Sequence, residues 1–451
     1  MKNSSFVVSD DSPLYIQLYM YFRKLIETGQ IKSGSKLMSI RRCCNEFELS
    51  KTTVETAYLQ LAAEGYIISK PQSGYYVTDI ELIKTENVSV SEYRNDNSKS
   101  HILYDFSSTS PESGSFDFSI WSRYIKSALR QNDRLITYGE AQGEIDLRKT
   151  ISEYINKSRS VFSSPENIVI GAGTQGLINI LCSITQKNSV VAFVGSTFEK
   201  GEAVFEDHGC KCLRFSAFPE DLSVLKENNV KLIYISPSHF TIYGDILPIK
   251  QRTALINFAQ KNDCMIIEDD YDSEFRYYYK PVPSLQGIAS GNNVIYLGTF
   301  SKLLIPSIRI SFMVLPNELM KPYSERGNLY NQTASKLEQI AVCQFIRDGH
   351  MNFQIKKQRK EFNSKANILC EKAKVILKNK AEISLLPAGY LVKFEFNSKY
   401  APENLFSELL RRGVKVIPVT EAKQPTAILS STGVSINNYD TALKIIKSVL
   451  Y

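Results

Sequence analysis

Lys302 stands in the run Tyr296-Leu-Gly-Thr-Phe-Ser-Lys-Leu-Leu-Ile-Pro-Ser-Ile-Arg-Ile310, an apolar strand that opens into a Gly/Ser/Thr turn with Arg309 seven residues on. A lysine forms an imine with an aldehyde only if its amine is partly desolvated and depressed in pKa, while small hydroxyls and an arginine fork suit a phosphate. An aldehyde-bearing phosphate cofactor, pyridoxal 5'-phosphate, needs that combination. The plain alternative is a surface lysine after a strand, the default for an isolated Ser-Lys pair.

Two further runs carry compatible chemistry. Ile267-Glu-Asp-Asp-Tyr-Asp-Ser-Glu-Phe-Arg276 closes another apolar strand. Such a charge run is by default a solvated loop. In pyridoxal chemistry a carboxylate keeps the pyridine nitrogen protonated and a tyrosine bonds the 3-hydroxyl, which selects Asp269 and Tyr271, with Asp270 the nearest rival for the carboxylate. Gly171-Ala-Gly173-Thr-Gln-Gly176 spells GxGxxG between a strand and a helix. The acidic residue that a dinucleotide site places at the end of the next strand is missing, because Val190–Val194 runs into Gly195-Ser-Thr-Phe198. A helix N-terminus at Gly173-Thr174-Gln175 still offers amides and a hydroxyl to one phosphate.

These runs are positioned by a chain that alternates helical stretches with apolar strands from Tyr104 onward. The strands are expected at Ile168–Ile170, Val190–Val194, Leu232–Ile235, Met265–Ile267, Val294–Leu297 and Phe312–Leu315. The pattern predicts an α/β domain around a mainly parallel sheet, with ligand chemistry at the strand carboxyl ends.

Residues 1–79 are organised differently. Leu14, Leu18, Phe22 and Leu25/Ile26 recur at helical spacing behind Asp11, Ser12 and Pro13; Ile40, Cys43, Cys44 and Phe47 repeat behind Ser39; Val54, Ala57, Tyr58 and Leu61 follow Ser50. Two short β-rich runs, Gly65–Ser69 and Ser73–Thr78, come next. Three helices and a hairpin make the winged helix-turn-helix plan, whose third helix enters the DNA major groove. A plain helical cap on an enzyme is the competing reading. Residues 80–103 are rich in Ser, Asn, Lys and Glu without apolar period and read as a flexible linker, leaving 104–451 as the large domain.

The 451 residues exceed what one core usually serves. The net charge is +7 overall, but residues 1–79 hold nine Lys/Arg against eight Asp/Glu, so DNA contact there depends on placement rather than bulk charge. No run approaches the roughly 18 to 20 apolar residues that span a bilayer, and the first ten residues lack a leader's apolar core. Eight scattered cysteines match no zinc or redox spacing, and four separated histidines argue against a metal site. A cytoplasmic protein with reduced thiols is expected.

Pro13-Leu-Tyr15, Gly34-Ser-Lys-Leu37, Ser39-Ile-Arg41, Leu49-Ser-Lys-Thr-Thr-Val54, Ala57-Tyr58, Leu61-Ala-Ala-Glu-Gly-Tyr66 and Ser73-Gly74 resemble the GntR class of bacterial regulators. That resemblance implies Arg41, Lys51, Thr52 and Thr53 as DNA-contacting positions, with Gly74 shaping the wing tip. Met38 replaces the usual proline. Lys51 stands where arginine is common, which favours phosphate contact over bidentate guanine reading.

Tyr138-Gly139, Gly143, Leu147-Arg148, Gly173-Thr-Gln175, Ser236-Pro-Ser-His239, Glu268–Arg276 and Gly298-Thr-Phe-Ser-Lys302 with Pro306 and Arg309 resemble fold-type I aminotransferases in order and spacing. With the N-terminal segment, the chain resembles the MocR/GabR subfamily of GntR regulators. The resemblance implies a homodimer in which Lys302 carries pyridoxal 5'-phosphate as an imine. Arg309, Thr174, Gln175 and Ser301 would lie near its phosphate and His239 near its ring or 3-hydroxyl. Tyr138 would reach the partner's phosphate. Phe198 would stack on the ring, with plain core packing as its alternative.

The pattern breaks on the substrate side. No arginine follows Arg412, and Thr426–Ser431 occupies the region where the family's carboxylate-binding Arg-Leu-Leu-Leu-Gly is expected. Leu391 stands in place of a common histidine, Ser311 in place of a glycine, and the Gln and Pro usual after His239 are absent. The implied function is a transcriptional regulator of promoter DNA that senses the cofactor and an amine or amino-acid effector. The alternative is a working aminotransferase with an accessory DNA-binding module. A nicotinamide enzyme is disfavoured by the missing acidic residue.

Overall fold

The computed structural model describes Phe6 and residues 12–79, 102–108, 115–196, 198–275, 282–327, 329–398, 401–419 and 422–450. They fall into two compact units, 1–97 and 98–451.

In the first unit, helices α1 (Leu14–Glu27), α2 (Ile40–Phe47) and α3 (Lys51–Ala63) precede a hairpin of β1 (Ile67–Lys70) and β2 (Gly74–Val77). Leu18, Phe22 and Ile26 of α1, Cys43 of α2 and Val54, Ala57, Tyr58 and Leu61 of α3 close one core with Ile67 and Val77 of the wing. Ser39 accepts from Arg42 N at 3.3 Å and Ser50 from Thr53 N at 3.1 Å, so each hydroxyl satisfies an orphan amide and fixes where its helix starts. At the start of α1 no side chain provides such a cap. Pro13 holds the N-cap without a side-chain bond, its carbonyl accepting from Ile16 N and Gln17 N, while Ser12 stands one residue too early and Asp11 lies outside the described residues.

The second unit opens at β3 (Tyr104–Asp105), just after Leu103 N bonds Gly413 O; of the expected linker, residues 80–101 lie outside the described residues. Its main sheet comprises β4 (Ile168–Gly171), β5 (Val190–Val194), β6 (Lys211–Phe215), β7 (Val230–Ile235), β8 (Met265–Asp270), β9 (Val294–Thr299) and β10 (Ser311–Val314). The order is β4-β10-β9-β8-β7-β5-β6, parallel except that β10 runs against both β4 and β9. The mainly parallel sheet expected from the apolar runs is therefore present. The edge strand β6 was not among the expected strands: Lys211 and Arg214 are exposed and interrupt its apolar residues.

Strand alternation divides the apolar residues between two faces. Val191, Phe193, Leu232, Tyr234, Ile267, Ile295 and Leu297 pack with Leu177, Ile178 and Leu181 of the helix Thr174–Ile184. Ala192, Val194, Ile233, Ile235, Ile266 and Val294 pack with Leu255, Ile256 and Ala259 of the helix Ile249–Lys261. A second sheet follows, made of β11 (Ala381–Leu385), β12 (Leu391–Phe396), β14 (Ile417–Val419) and β15 (Thr426–Ser430) in the order β11-β12-β15-β14, while the short β13 (Val414–Lys415) pairs with β3. The 28-residue helix His350–Leu377 joins the regions: Met351, Ile355 and Phe362 enter the core beside β4 and β10, and Ala366, Leu369, Ala373 and Leu377 the core under the second sheet.

Candidate functional site

One edge of the main sheet gathers the chemistry. Gly171 pairs with Ser311 and Ser311 with Thr299; Gly298 pairs with Asp270, Glu268 with Ile235 and Ile235 with Val194. The carboxyl ends of β4, β5, β7, β8 and β9 thus line up beside the start of β10. Loops leaving this edge carry Thr174, Phe198, His239, Tyr271, Asp272, Ser301 and Lys302, and Arg309 enters it before β10. Such an edge is where open α/β sheets bind ligands.

An anion cradle forms at the β4 end. Gly173, φ +88°, caps the helix Thr174–Ile184, and a Cβ there would lie 2.1 Å from an Arg309 guanidinium nitrogen, so only glycine lets the two approach. Arg309 has φ +51° at the end of a 3-10 turn. A guanidinium beside free helix amides complements negative charge twice over. Nearby in sequence, the buried Ser301 Oγ has no hydrogen-bond partner, while Ser301 N donates to Thr299 Oγ1 at 3.2 Å. Ser311, where a glycine is expected, is fully buried and bonds Thr299 Oγ1 at 2.8 Å, clamping β9 to β10 beneath this turn. Gln175 points its amide elsewhere, donating to Lys200 O at 3.0 Å.

Lys302 Nζ lies 3.1 Å from Tyr390 Oη, 3.5 Å from Asp272 Oδ2 and 4.7 Å from the Tyr271 ring centroid. Burial pulls its pKa below the ordinary lysine value against the opposing pull of Asp272 and Asp269. Tyr390 donates to Asp272 Oδ2 at 3.0 Å, and His239 Nδ1 stands 2.7 Å from the same oxygen. Burial alone would lift Asp272, but His239 and Lys302 outweigh it and hold the carboxyl well below its usual range.

Asp269 and Asp270 are adjacent on β8 and project to opposite faces. Asp269 Oδ2 accepts from Tyr234 Oη at 2.5 Å, and burial lifts its pKa to about 7. Phe198 stacks on that same Tyr234 ring, centroids 6.2 Å apart and planes 24° from parallel, and also packs on the core below. Asp270 is committed elsewhere: its Oδ2 accepts from Arg159 Nε at 2.6 Å and Tyr296 Oη at 2.7 Å. Glu268, on the face of Asp270, accepts the amides of Leu285 and Gln286, both at 2.9 Å, and burial lifts it to about 7.

Residue type and spacing do not mark Tyr390, Asp272, Tyr234 or Arg159 as site residues. Asp272 lies inside the acidic run, three residues beyond Asp269. Tyr390, 88 residues from Lys302, carried no signal, because the turn between β11 and β12 delivers it. Tyr138 is 89% exposed in a loop that Lys336 braces through Arg134 O and Thr137 O.

In the first unit, Arg41 is exposed in the first turn of α2, and Lys51 and Thr52 in that of α3. Thr53 is partly occupied, its Oγ1 lying 2.8 Å from Ser50 Oγ. Gly74 opens β2 at φ +103°, with Lys36 Cε 3.2 Å from where a Cβ would sit. Lys36 and Lys70 flank the Tyr76 ring at 5.9 and 4.6 Å, placing cations along the wing.

Residues 14–77 match the bacterial regulatory proteins of the gntR family, and residues 85–446 match aminotransferase class I and II. YdeL, an HTH-type transcriptional regulator of Bacillus subtilis (strain 168), is 36% identical over 448 residues, covering 97% of each chain. MocR of Rhizobium meliloti, a probable rhizopine catabolism regulatory protein, is 26% identical over 449 residues, covering 94% of this chain and 91% of its own. An archaeal alanine:glyoxylate aminotransferase superposes with a TM-score of 0.67 at 23% identity, over 77% of this chain and 90% of its own, a likeness of fold.

Proposed function

We propose, for a chain that belongs to the MocR/GabR subfamily of gntR-family DNA-binding transcriptional regulators, that its aminotransferase-like domain takes up pyridoxal 5'-phosphate and reports occupancy to the winged helix-turn-helix. The observation that carries this reading is the desolvated Lys302 amine, set between Tyr390, Asp272 and the Tyr271 ring at the carboxyl edge of the sheet.

The site's unfilled valences fit the cofactor. Ser301 Oγ is buried without a partner, Arg309 stands over Gly173, and the amides of the helix at Thr174 complete a cradle for a dianionic phosphate. Asp269 is buried, and a protonated ring nitrogen would compensate the charge that burial now penalises. Bound there, pyridoxal phosphate supplies an aldehyde and an electron-withdrawing ring. Lys302 Nζ is the nucleophile for that aldehyde, its lowered pKa increasing the free-amine fraction. Tyr390 accepts a hydrogen bond from the amine, Asp272 holds it as an ionised partner, and His239 helps keep Asp272 ionised. Tyr271 and Phe198 supply aromatic walls.

On the DNA side, Arg41, Lys51 and Thr52 are exposed at helix N-termini, where side chains and backbone amides together meet phosphates and base edges. Thr53 supports that turn through Ser50, and Gly74 sets the wing. The working form in this reading is a cytoplasmic homodimer, with the exposed Tyr138 reaching toward the partner's cradle. No described helix is long and apolar enough to cross a membrane.

The test is a titration of purified full-length protein with pyridoxal phosphate, followed by absorbance and by binding to its own upstream DNA. A visible band that disappears in Lys302→Ala, with a change in promoter affinity on loading, is the expected result. Promoter DNA bound no better than random DNA in both states would sink the reading.

A further inference from the structure

The stretch of chain packed against Tyr390 is unusual in its charge. Tyr390 follows the turn at Gly389, and its carbonyl accepts from Ser431 N and Ser431 Oγ, both at 3.0 Å, so the end of β15 lies against the residue that touches Lys302. Every residue of β15, Thr426–Ser430, is buried, and Ser431 and Thr432 beyond it are buried too. None of them is a cation, although this is the stretch where a carboxylate-binding arginine was expected.

No other described cation substitutes for it. Arg159 is spent on Asp270, Ser238 Oγ and Val282 O, and Arg359 on Glu274 O. His239 is held by Asp272 at 2.7 Å, and Lys393 by Glu395 at 2.9 Å. Arg309 stands at the opposite, phosphate end beside Gly173. The charge close to Lys302 is instead the carboxylate of Asp272, 3.5 Å away, with the π faces of Tyr271 and Tyr390 at 4.7 and 5.2 Å. Carboxylates and ring faces attract ammonium groups, and both repel a second carboxylate.

We propose that the effector of this site is a primary amine without an α-carboxylate, drawn in by Asp272 and the Tyr271 and Tyr390 rings, and that α-amino acids are rejected for want of a cation among the described residues to pair with. This rests on the reading that the site holds pyridoxal phosphate. An amino acid entering here would bury its carboxylate unpaired, at a cost larger than the attraction its ammonium gains. Discrimination thus comes from an unfavourable term against the wrong ligand as well as a favourable one for the right ligand.

The experiment uses the full-length, cofactor-loaded protein and isothermal titration calorimetry with matched pairs that differ only by the carboxylate. These are agmatine against L-arginine, cadaverine against L-lysine, and isobutylamine against L-valine. At least one decarboxylated member should bind tenfold or more tightly than its amino acid, with no pair reversed. In Asp272→Asn, checked for fold by circular dichroism, the preference should shrink severalfold. An amino acid bound as tightly as its amine would overturn the proposal, including the case in which a partner subunit supplies the missing cation. So would silence from all six compounds, or an undiminished preference in a folded Asp272→Asn. Failure of the protein to acquire a cofactor band before any amine is added would instead strike the cofactor reading itself, and this inference with it.

Discussion

Tyr390 Oη lies 3.1 Å from Lys302 Nζ, so a residue of the turn between two C-terminal strands is the nearest hydrogen-bonding group to the amine at the end of β9. The same hydroxyl donates to Asp272, which makes Tyr390 the tie between the small sheet and the acidic loop after β8.

Removing that hydroxyl should therefore be felt as stability. Tyr390→Phe keeps the ring but leaves the buried Asp272 carboxylate one donor short, at a cost of about 1–3 kcal/mol. The urea midpoint of the variant should fall while Lys302 still acquires the cofactor band. An unchanged midpoint would show that water replaces the hydroxyl at no cost.

The buried carboxyl of Asp269 sets a pH dependence. Its pKa is raised from 3.8 to about 7, so between about pH 4 and 7 the folded protein holds a proton that the unfolded chain has released. The unfolded state then binds fewer protons, and this group's contribution to stability falls as pH rises through that window and stays flat above it. Asp269→Asn should accordingly stabilise the cofactor-free protein at pH 8 by ~3 kcal/mol relative to its effect at pH 4.5. Thermal melts of both proteins across pH 4.5–8 without cofactor read the difference directly, and parallel pH profiles would contradict it.

Arg159 and Asp270 form the ion pair that keeps Asp270 away from the Lys302 side, and both side chains are only 1% exposed. Arg159→Met leaves a buried carboxylate with Tyr296 as its sole remaining partner and should destabilise the fold by about 3–5 kcal/mol. Soluble yield and melting temperature are the measurements. Retention of the wild-type melting point would mean that Asp270 takes up a proton at little cost.

Lys51 is 77% exposed and pairs with Glu55 at 3.5 Å. As a phosphate contact, Lys51→Ala should weaken binding to specific and random DNA alike and reduce the slope of log affinity against log salt by about 1. Loss confined to the specific site would indicate base reading instead.

Gly74→Val tests the wing. At φ +103° a β-branched residue is strained, and its Cβ would press on Lys36 Cε. DNA affinity should drop severalfold, with the cofactor titration unaltered. Equal promoter affinity in the variant would remove the wing tip from the contact surface.

Local pattern made much of this protein readable. Ser39 and Ser50 announce two helices because a hydroxyl at an N-cap meets its amide within three residues, and the apolar runs of the main sheet announce strands because both their faces are covered. Lys302, Asp269 and the glycine at 173 were visible for the same reason, each sitting at the junction of a strand with a turn. Where spacing alone was ambiguous, alternation decided: Asp269 and Asp270 are neighbours in sequence and face opposite sides of β8.

The sequence by itself determined the two domain types, the strand-end location of the lysine and the absence of an arginine after Arg412, since these depend on residue type and short-range periodicity. Only the tertiary structure brought Tyr390 across 88 residues to the amine, bound Asp272 rather than Asp269 to His239, and placed buried, uncharged β15 beside that tyrosine. Those contacts arise from sheet order and from the packing of the long helix across two cores. No local pattern encodes which distant turn will meet which strand end.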